Sequence, residues 1–183
     1  MLATTVLQNE DAPATWPAAP AGLSDEAAAI DPAVIWQRLE CWVAYRWTPR
    51  AVTWVIDGPG AWSAPLSPAT VSASYRWNGD AWEDYTLPAG PFGHDLPMGQ
   101  FKVVATVGGG DVPEPVAEAY RRLAEYSAEI GERGMLKDAP GASSYSADIG
   151  GSLQESFTRP SAWAARALQY SGAADLLRSY RRA

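Results

Sequence analysis

The only histidine, His94, is followed by Asp95 in the stretch PFGHDLPMG, and the only cysteine, Cys41, lies between Glu40 and Trp42. An imidazole beside a carboxylate can hold a metal or act as a base, and a thiol can act as a nucleophile, provided that further groups converge on them. Neither has such neighbours in sequence. No second His or Cys stands at ligand spacing from His94, which reads as a loop residue at a turn. Cys41 falls within a helical apolar pattern that suits a small buried side chain. Glu83 and Asp84 are adjacent acids, but consecutive strand residues point to opposite faces, so they read as solvated charge. Gly108, Gly109 and Gly110 lack the Lys-Ser/Thr of a phosphate loop. These residues point to no catalysis, no metal and no cofactor. The enzymatic alternative, a small hydrolase built on His94 and Asp95, needs a third group beside them.

Aromatic surface offers a different chemistry. Trp54, Trp62, Trp77 and Trp82 fall on strand-like segments, and flat indoles can stack on sugar rings, as in a β-type carbohydrate-binding module. Core packing and subunit contact compete for the same side chains. With 9 Trp, 15 Pro and 16 Gly beside only 19% charged residues, the chain has many turns and much aromatic surface, some of it expected to meet a partner. The formal net charge of -7 repels a phosphate backbone, so neither sequence-specific DNA binding nor an anionic membrane is expected. One cysteine excludes an internal disulfide and fits a reducing cytoplasm. The beginning of the chain, MLATTVLQNEDAPATWPAAP, has neither a basic nor a continuous apolar signal region, and no apolar run is long enough to span a bilayer.

The elements that must carry these side chains follow from periodicity. Residues 1–23 mix Ala, Pro and Thr without period and read as an extended N-terminal arm, with Leu7 and Trp16 as its anchors. Ser24 can cap a short turn, and Asp31 and Pro32 open a helix that runs through Ile35, Leu39, Trp42, Val43 and Trp47 to the stop at Pro49. RAVTWVID, SPATVSASYRW, AWEDYT and QFKVVATV then read as short antiparallel strands, with Asn78-Gly79 as a type I′ hairpin turn and PAGPFGHDLPMG as a long loop. In GGGDVPEPVAEAYRRLAEY the glycines let the backbone leave the sheet, Asp111 can cap, and Pro113 and Pro115 suit a helix start. Val116, Ala119, Tyr120, Leu123, Ser127 and Ile130 mark that helix's apolar face, which ends near Gly131 and Gly134. GASSYSADIGGSLQESF reads as a flexible hairpin or extended arm, and PSAWAARALQY and AADLLRSYRR as short helices in a basic tail. The expected class is α+β: a small helical layer with a short antiparallel sheet and hairpin insertion and extended arms. Its expected divisions are an arm 1–23, a core 24–137 and a C-terminal arm 138–183.

The order of these segments resembles the head-tail connector (adaptor, head-completion) proteins of long-tailed bacteriophages and gene transfer agents. Two motifs carry the resemblance: the aromatic helix end leading into Thr48-Pro49-Arg50-Ala51 and a Trp-bearing strand, and the junction Asp111-Val112-Pro113-Glu114-Pro115 before the long helix. The likeness covers residues 31–137 and the final helix. Pro49 stands where the family commonly has Gly, the N-terminal helical part is shorter than usual, and Gly131, Arg133 and Gly134 replace an aromatic-rich segment. The resemblance implies a virion protein without enzymatic activity, forming a dodecameric ring at the virion neck after assembly in the bacterial host cytoplasm. Its implied partners are the portal protein, a stopper or other tail-proximal neck protein and copies of itself, with DNA passing through the ring without sequence-specific binding. The apolar, basic tail supplies the expected portal-binding residues: Phe157, Trp163, Leu176, Leu177, Arg178, Tyr180, Arg181 and Arg182. The acids Asp25, Glu26 and Asp31 are expected to face the bore.

Overall fold

The computed structural model describes residues 2–132, 144–149, 153–158 and 166–181. They form an α+β fold with antiparallel sheets. The chain divides into two compact units, one made of Met1–Pro17, Glu40–Val112 and Tyr180–Ala183, the other of Ala18–Leu39 and Pro113–Ser179.

The first unit is built on strands β1 (Thr4–Glu10), β2 (Arg50–Asp57), β3 (Gly60–Trp62), β4 (Ala69–Trp77), β5 (Trp82–Asp84), β6 (Ala89–Gly90), β7 (Gly93–Leu96) and β8 (Gln100–Val107). Its main sheet has the order β1-β2-β8-β4-β5, and a smaller one the order β3-β7-β6. Strands β2 and β8 are each paired on both edges, and both alternate with period two, so each turns one face to the core. Val52, Trp54 and Ile56 on one, and Phe101, Val103, Ala105 and Val107 on the other, point into one core with Trp62, Leu66, Leu87 and Leu96. Each fully buried large side chain there is worth about 1.5–3 kcal/mol.

Several expectations are corrected in this unit. Within residues 1–23, read as an extended arm, Thr4–Glu10 is a paired edge strand: Thr4 faces Asp57 and Glu10 faces Val52, with a bulge between Thr5 and Leu7. Backbone pairing and polar side chains fix it, so hydrophobic period gives no sign of it. The Asn78-Gly79 connection is not a type I′ turn, which needs positive φ at both central residues. Only Gly79 has it (φ 106°), and the loop between the facing pair Trp77 and Trp82 is longer. The Asn78 side chain closes that loop by accepting from the N–H groups of Asp80 and Ala81 at 2.9 and 2.8 Å. The long loop around His94 contains β6 and β7, strands too short to show a period.

The second unit begins with α1 (Asp25–Ala28), whose cap Ser24 accepts from the Ala27 N–H at 3.2 Å. Helix α2 (Pro32–Trp42) follows, its start fixed by the Ala33 N–H donating to Asp31 Oδ1 at 2.9 Å and its last turn, from Glu40, belonging to the first unit. The helix stops at Trp42 and not at Trp47, because the next residues leave to bond with a strand-like segment. Ser67 N–H donates to the Ala44 carbonyl at 2.9 Å, and Arg46 N–H donates to the Ser67 carbonyl at 2.8 Å. Helix α3 (Glu114–Glu132) opens at Pro113, whose carbonyl accepts from Val116 and Ala117 at 2.9 and 3.0 Å. Pro113 thus stands at the cap position expected of Asp111. Val116, Ala119, Tyr120, Leu123 and Ala124 form its buried face, and Trp36 packs on Tyr120 at 4.9 Å between ring centroids.

Strands β9 (Ser144–Ile149) and β10 (Leu153–Thr158) pair as an antiparallel hairpin. Helices α4 (Ala167–Tyr170) and α5 (Ala173–Leu176) and a 3-10 turn, Arg178–Tyr180, complete the chain, α4 and α5 both packing on α3. The expected helical segment beginning at Pro160 lies outside the described residues up to Ala165, as does the expected division at 137/138.

Candidate functional site

Four charged side chains converge where β1, the end of α2 and the start of β2 meet inside the first unit. Arg46 donates through Nε and Nη2 to both oxygens of Glu10, at 2.5 and 3.0 Å. Its Nη1 donates to the carbonyls of Glu40, Val43 and Tyr45 at 2.8, 3.0 and 3.1 Å, satisfying acceptors that a terminating helix leaves open. Arg50 pairs through Nη2 with Glu40 Oε2 at 2.6 Å and through Nη1 with Glu10 Oε1 at 3.3 Å, and its guanidinium lies over the Trp16 ring. Glu40 is buried because it follows Leu39 and lies one turn after Trp36, on the helix face that points inward. Burial pushes its carboxyl above the ordinary value, outweighing the downward pull of the Trp47 N–H and of Arg50 and Arg46. The chemistry of this cluster is cohesion: it ties residues far apart in sequence to one point. Nothing in local spacing foretells it, since Glu10 and Arg46 belong to segments that the sequence reads as separate.

The same helix geometry corrects Cys41. It is exposed, because the inward position that the apolar pattern offered belongs to Glu40. His94 is a strand residue of β7, its ring stacked on Trp62 at 6.1 Å and 28°. Among the described residues no group of three or more His, Cys, Asp and Glu could hold a metal. Trp54 and Trp62 are core residues and cannot serve as a sugar platform. Trp77 and Trp82 meet at 5.2 Å with their planes 59° apart, and Lys102 lies over the Trp82 and Tyr75 rings at 5.0 and 4.5 Å. A large part of the aromatic content, including Trp36 and Trp47, thus serves the interior.

The tail residues separate into inward and outward sets. Leu177 is fully buried and Leu176 partly so. Arg178 is exposed, paired with Asp175 at 3.0 Å. In the first unit, Tyr180 packs edge-on against Tyr45 and Trp47 at 5.8 and 5.9 Å, and Arg181 lies over the Trp42 ring at 4.6 Å. Phe157 belongs to strand β10. Trp163 and Arg182 lie outside the described residues. Leu177 is therefore part of the chain's own packing, while Arg178 presents its charge outward.

Sequence reading missed a shallow charged groove along α3, lined by Glu118, Arg121, Arg122, Glu125, Tyr126 and Tyr170 among others. Its signal was present as Glu-to-Arg spacings of three and four residues. Arg121 and Arg122 bind Glu118 at 2.8 and 2.9 Å, and together they hold its carboxyl below the ordinary value. Glu125 accepts from the Ser24 N–H and hydroxyl at 2.7 and 2.8 Å. These charges already have partners in their own unit. Among the described residues no helix is long and apolar enough to cross a membrane. No family model, no curated protein and no solved structure matches this chain.

Proposed function

We propose that this chain is a neck adaptor: a structural subunit that forms a ring below a portal protein and joins it to a stopper or tail-proximal protein, leaving a passage for DNA. In this reading the helices α2 and α3 form a helical layer, the sheet is an insertion between them, and the C-terminal segment engages the portal. The observation that carries the reading is the close packing of its first motif on the end of β8, which leads into the second. Gly108 approaches the Thr48 carbonyl so closely that an added Cβ would lie 2.2 Å from its oxygen, and Arg50 faces Val107 across the β2–β8 ladder. The turn Thr48-Pro49-Arg50-Ala51 thus packs on the residues by which β8 ends, just ahead of Asp111, and this supports reading the two segments in the order on which the resemblance rests.

Function then arises from interface burial, with roughly 800 Å² per partner at each joint sufficient for specificity. Exposed Arg178 and Arg181 are the residues assigned to acidic groups of the portal. Their charge is tested by Arg178→Glu with Arg181→Glu in an assay that joins portal-bearing heads to tails. The expected result is a folded subunit that no longer supports joining; undiminished joining rejects the assignment. Removing the whole tail is a poorer test, because it also removes buried Leu177.

A further inference from the structure

Strand β1 is held in an unusual manner. It lies at the rim of the main sheet with β2 as its partner in that sheet, Leu2 just before it bridges to Ala61 of β3, and none of residues Thr4–Glu10 is buried. Its apolar side chains Val6 and Leu7 remain 59% and 57% exposed. Its polar side chains do the anchoring. Thr5 Oγ1 accepts from the Trp62 indole N–H at 3.0 Å, Gln8 Oε1 accepts from the Trp54 indole N–H at 2.9 Å, and Glu10 takes Arg46 and Arg50. The fully buried core of this unit is assembled from other segments, and only Ala3, just before the strand, packs against it, its N–H donating to the Ala61 carbonyl at 3.0 Å, so that contact travels with the strand.

An empty place beside β2 would be costly in a specific way. Buried Trp62 and Trp54 would lose their acceptors, and two buried guanidinium groups would keep only Glu40 of their two carboxylates. The occupant must therefore be an extended strand that carries a hydroxyl, an amide and a carboxylate at these positions. β1 itself meets that description, from its own chain or from another copy. Beyond it, Asp11–Leu23 contains no helix or strand and is stiffened by Pro13, Pro17 and Pro20. Asp11 N–H donates to the Ala51 carbonyl and the Trp16 ring lies against Arg50, so these residues travel with β1 and the span that follows, 17–23, reaches roughly 23 Å at about 3.3 Å per residue.

We infer that β1 is an exchangeable strand: in assembled copies the β1 of one chain fills the place beside β2 of the next. Such an exchange reproduces every contact described above and adds a connection between copies without a new surface. The inference rests on self-assembly of the proposed adaptor and is independent of portal binding.

The test uses facing residues. Asn9 lies opposite Thr53 in the β1–β2 ladder. In chains whose exposed Cys41 is replaced by Ser, Asn9→Cys and Thr53→Cys are made separately and together. The chain with both substitutions should close a disulfide within itself or with its neighbour, which establishes that the pair can be bridged. The two single variants, one carrying a mass tag, are refolded together and oxidised. Exchange predicts that about half of the Thr53→Cys chains become linked to Asn9→Cys chains, the statistical share for identical strands shared among copies. Absence of mixed pairs, while the double variant closes within one chain, overturns the inference. Should the double variant fail to close, the facing pair Leu7 and Val55 repeats the experiment with the same two outcomes. Failure here, with head-to-tail joining intact, would remove strand exchange and leave the adaptor reading standing.

Discussion

Glu40 Oε2 and Arg50 Nη2 lie 2.6 Å apart with 3% and 5% of their side chains exposed, an ion pair enclosed by protein. Breaking a buried pair by removing one partner leaves an uncompensated charge, at a typical cost of about 3–5 kcal/mol. Glu40→Ala should lie near the low end, about 3 kcal/mol, because Glu10 still faces both arginines. Urea unfolding measures it; a loss below about 0.5 kcal/mol, the usual range of surface changes, would mean that the cluster contributes little.

The same carboxylate predicts a pH dependence. Its folded value is raised above the ordinary 4.5 by burial, so the folded chain holds that proton more tightly than the unfolded chain. The contribution of Glu40 to stability is therefore greatest below 4.5 and declines as pH rises through the raised folded value. Glu40→Gln removes this decline, and its unfolding midpoint should change less steeply than the wild-type midpoint over that window. Parallel profiles would contradict the assignment.

Gly108 and Gly110 separate backbone strain from crowding. Both have positive φ, 93° and 90°, but a Cβ at Gly108 meets the Thr48 carbonyl at 2.2 Å whereas at Gly110 nothing lies within 4 Å. Gly110→Ala should cost about 1–2 kcal/mol, the strain of a left-handed L-residue. Gly108→Ala should cost that and the displacement of the Thr48 turn besides. Equal losses in thermal unfolding would show that the junction is not tightly packed.

The tail divides by burial. Leu177→Ala should destabilise by about 2–5 kcal/mol, as deletions from a packed core do. Arg178→Glu, at an exposed position, should remain within about 0.5 kcal/mol of wild type. If both change stability alike, the inward and outward sets described for this segment are wrong.

What could be read from sequence was whatever repeats locally. β2 and β8 were legible from strict alternation, α3 from its apolar stripe, and the Ser24 and Asp31 caps from side chains that bond a few residues ahead. β1 was not, because its inward residues are polar (Thr5, Gln8 and Glu10) while Val6 and Leu7 are exposed, so no apolar alternation marks it as a strand. The end of α2 was misjudged because Arg46 caps it through tertiary bonds and the backbone after it pairs near Ser67. The exposure of Cys41 and the burial of Glu40 are two sides of one fact: a buried carboxylate looks unfavourable until Arg46 and Arg50 are brought beside it. The outward set of the tail was legible as charge, but its division from Leu177 required the packing on α3.

The most direct measurement for the proposed role is electron microscopy of this chain co-expressed with any portal protein that the same genome encodes. The adaptor account predicts a ring of this chain stacked on one end of the portal ring, coaxial with its channel. Bare portal rings, with this chain remaining separate at concentrations well above those of assembly, would contradict it.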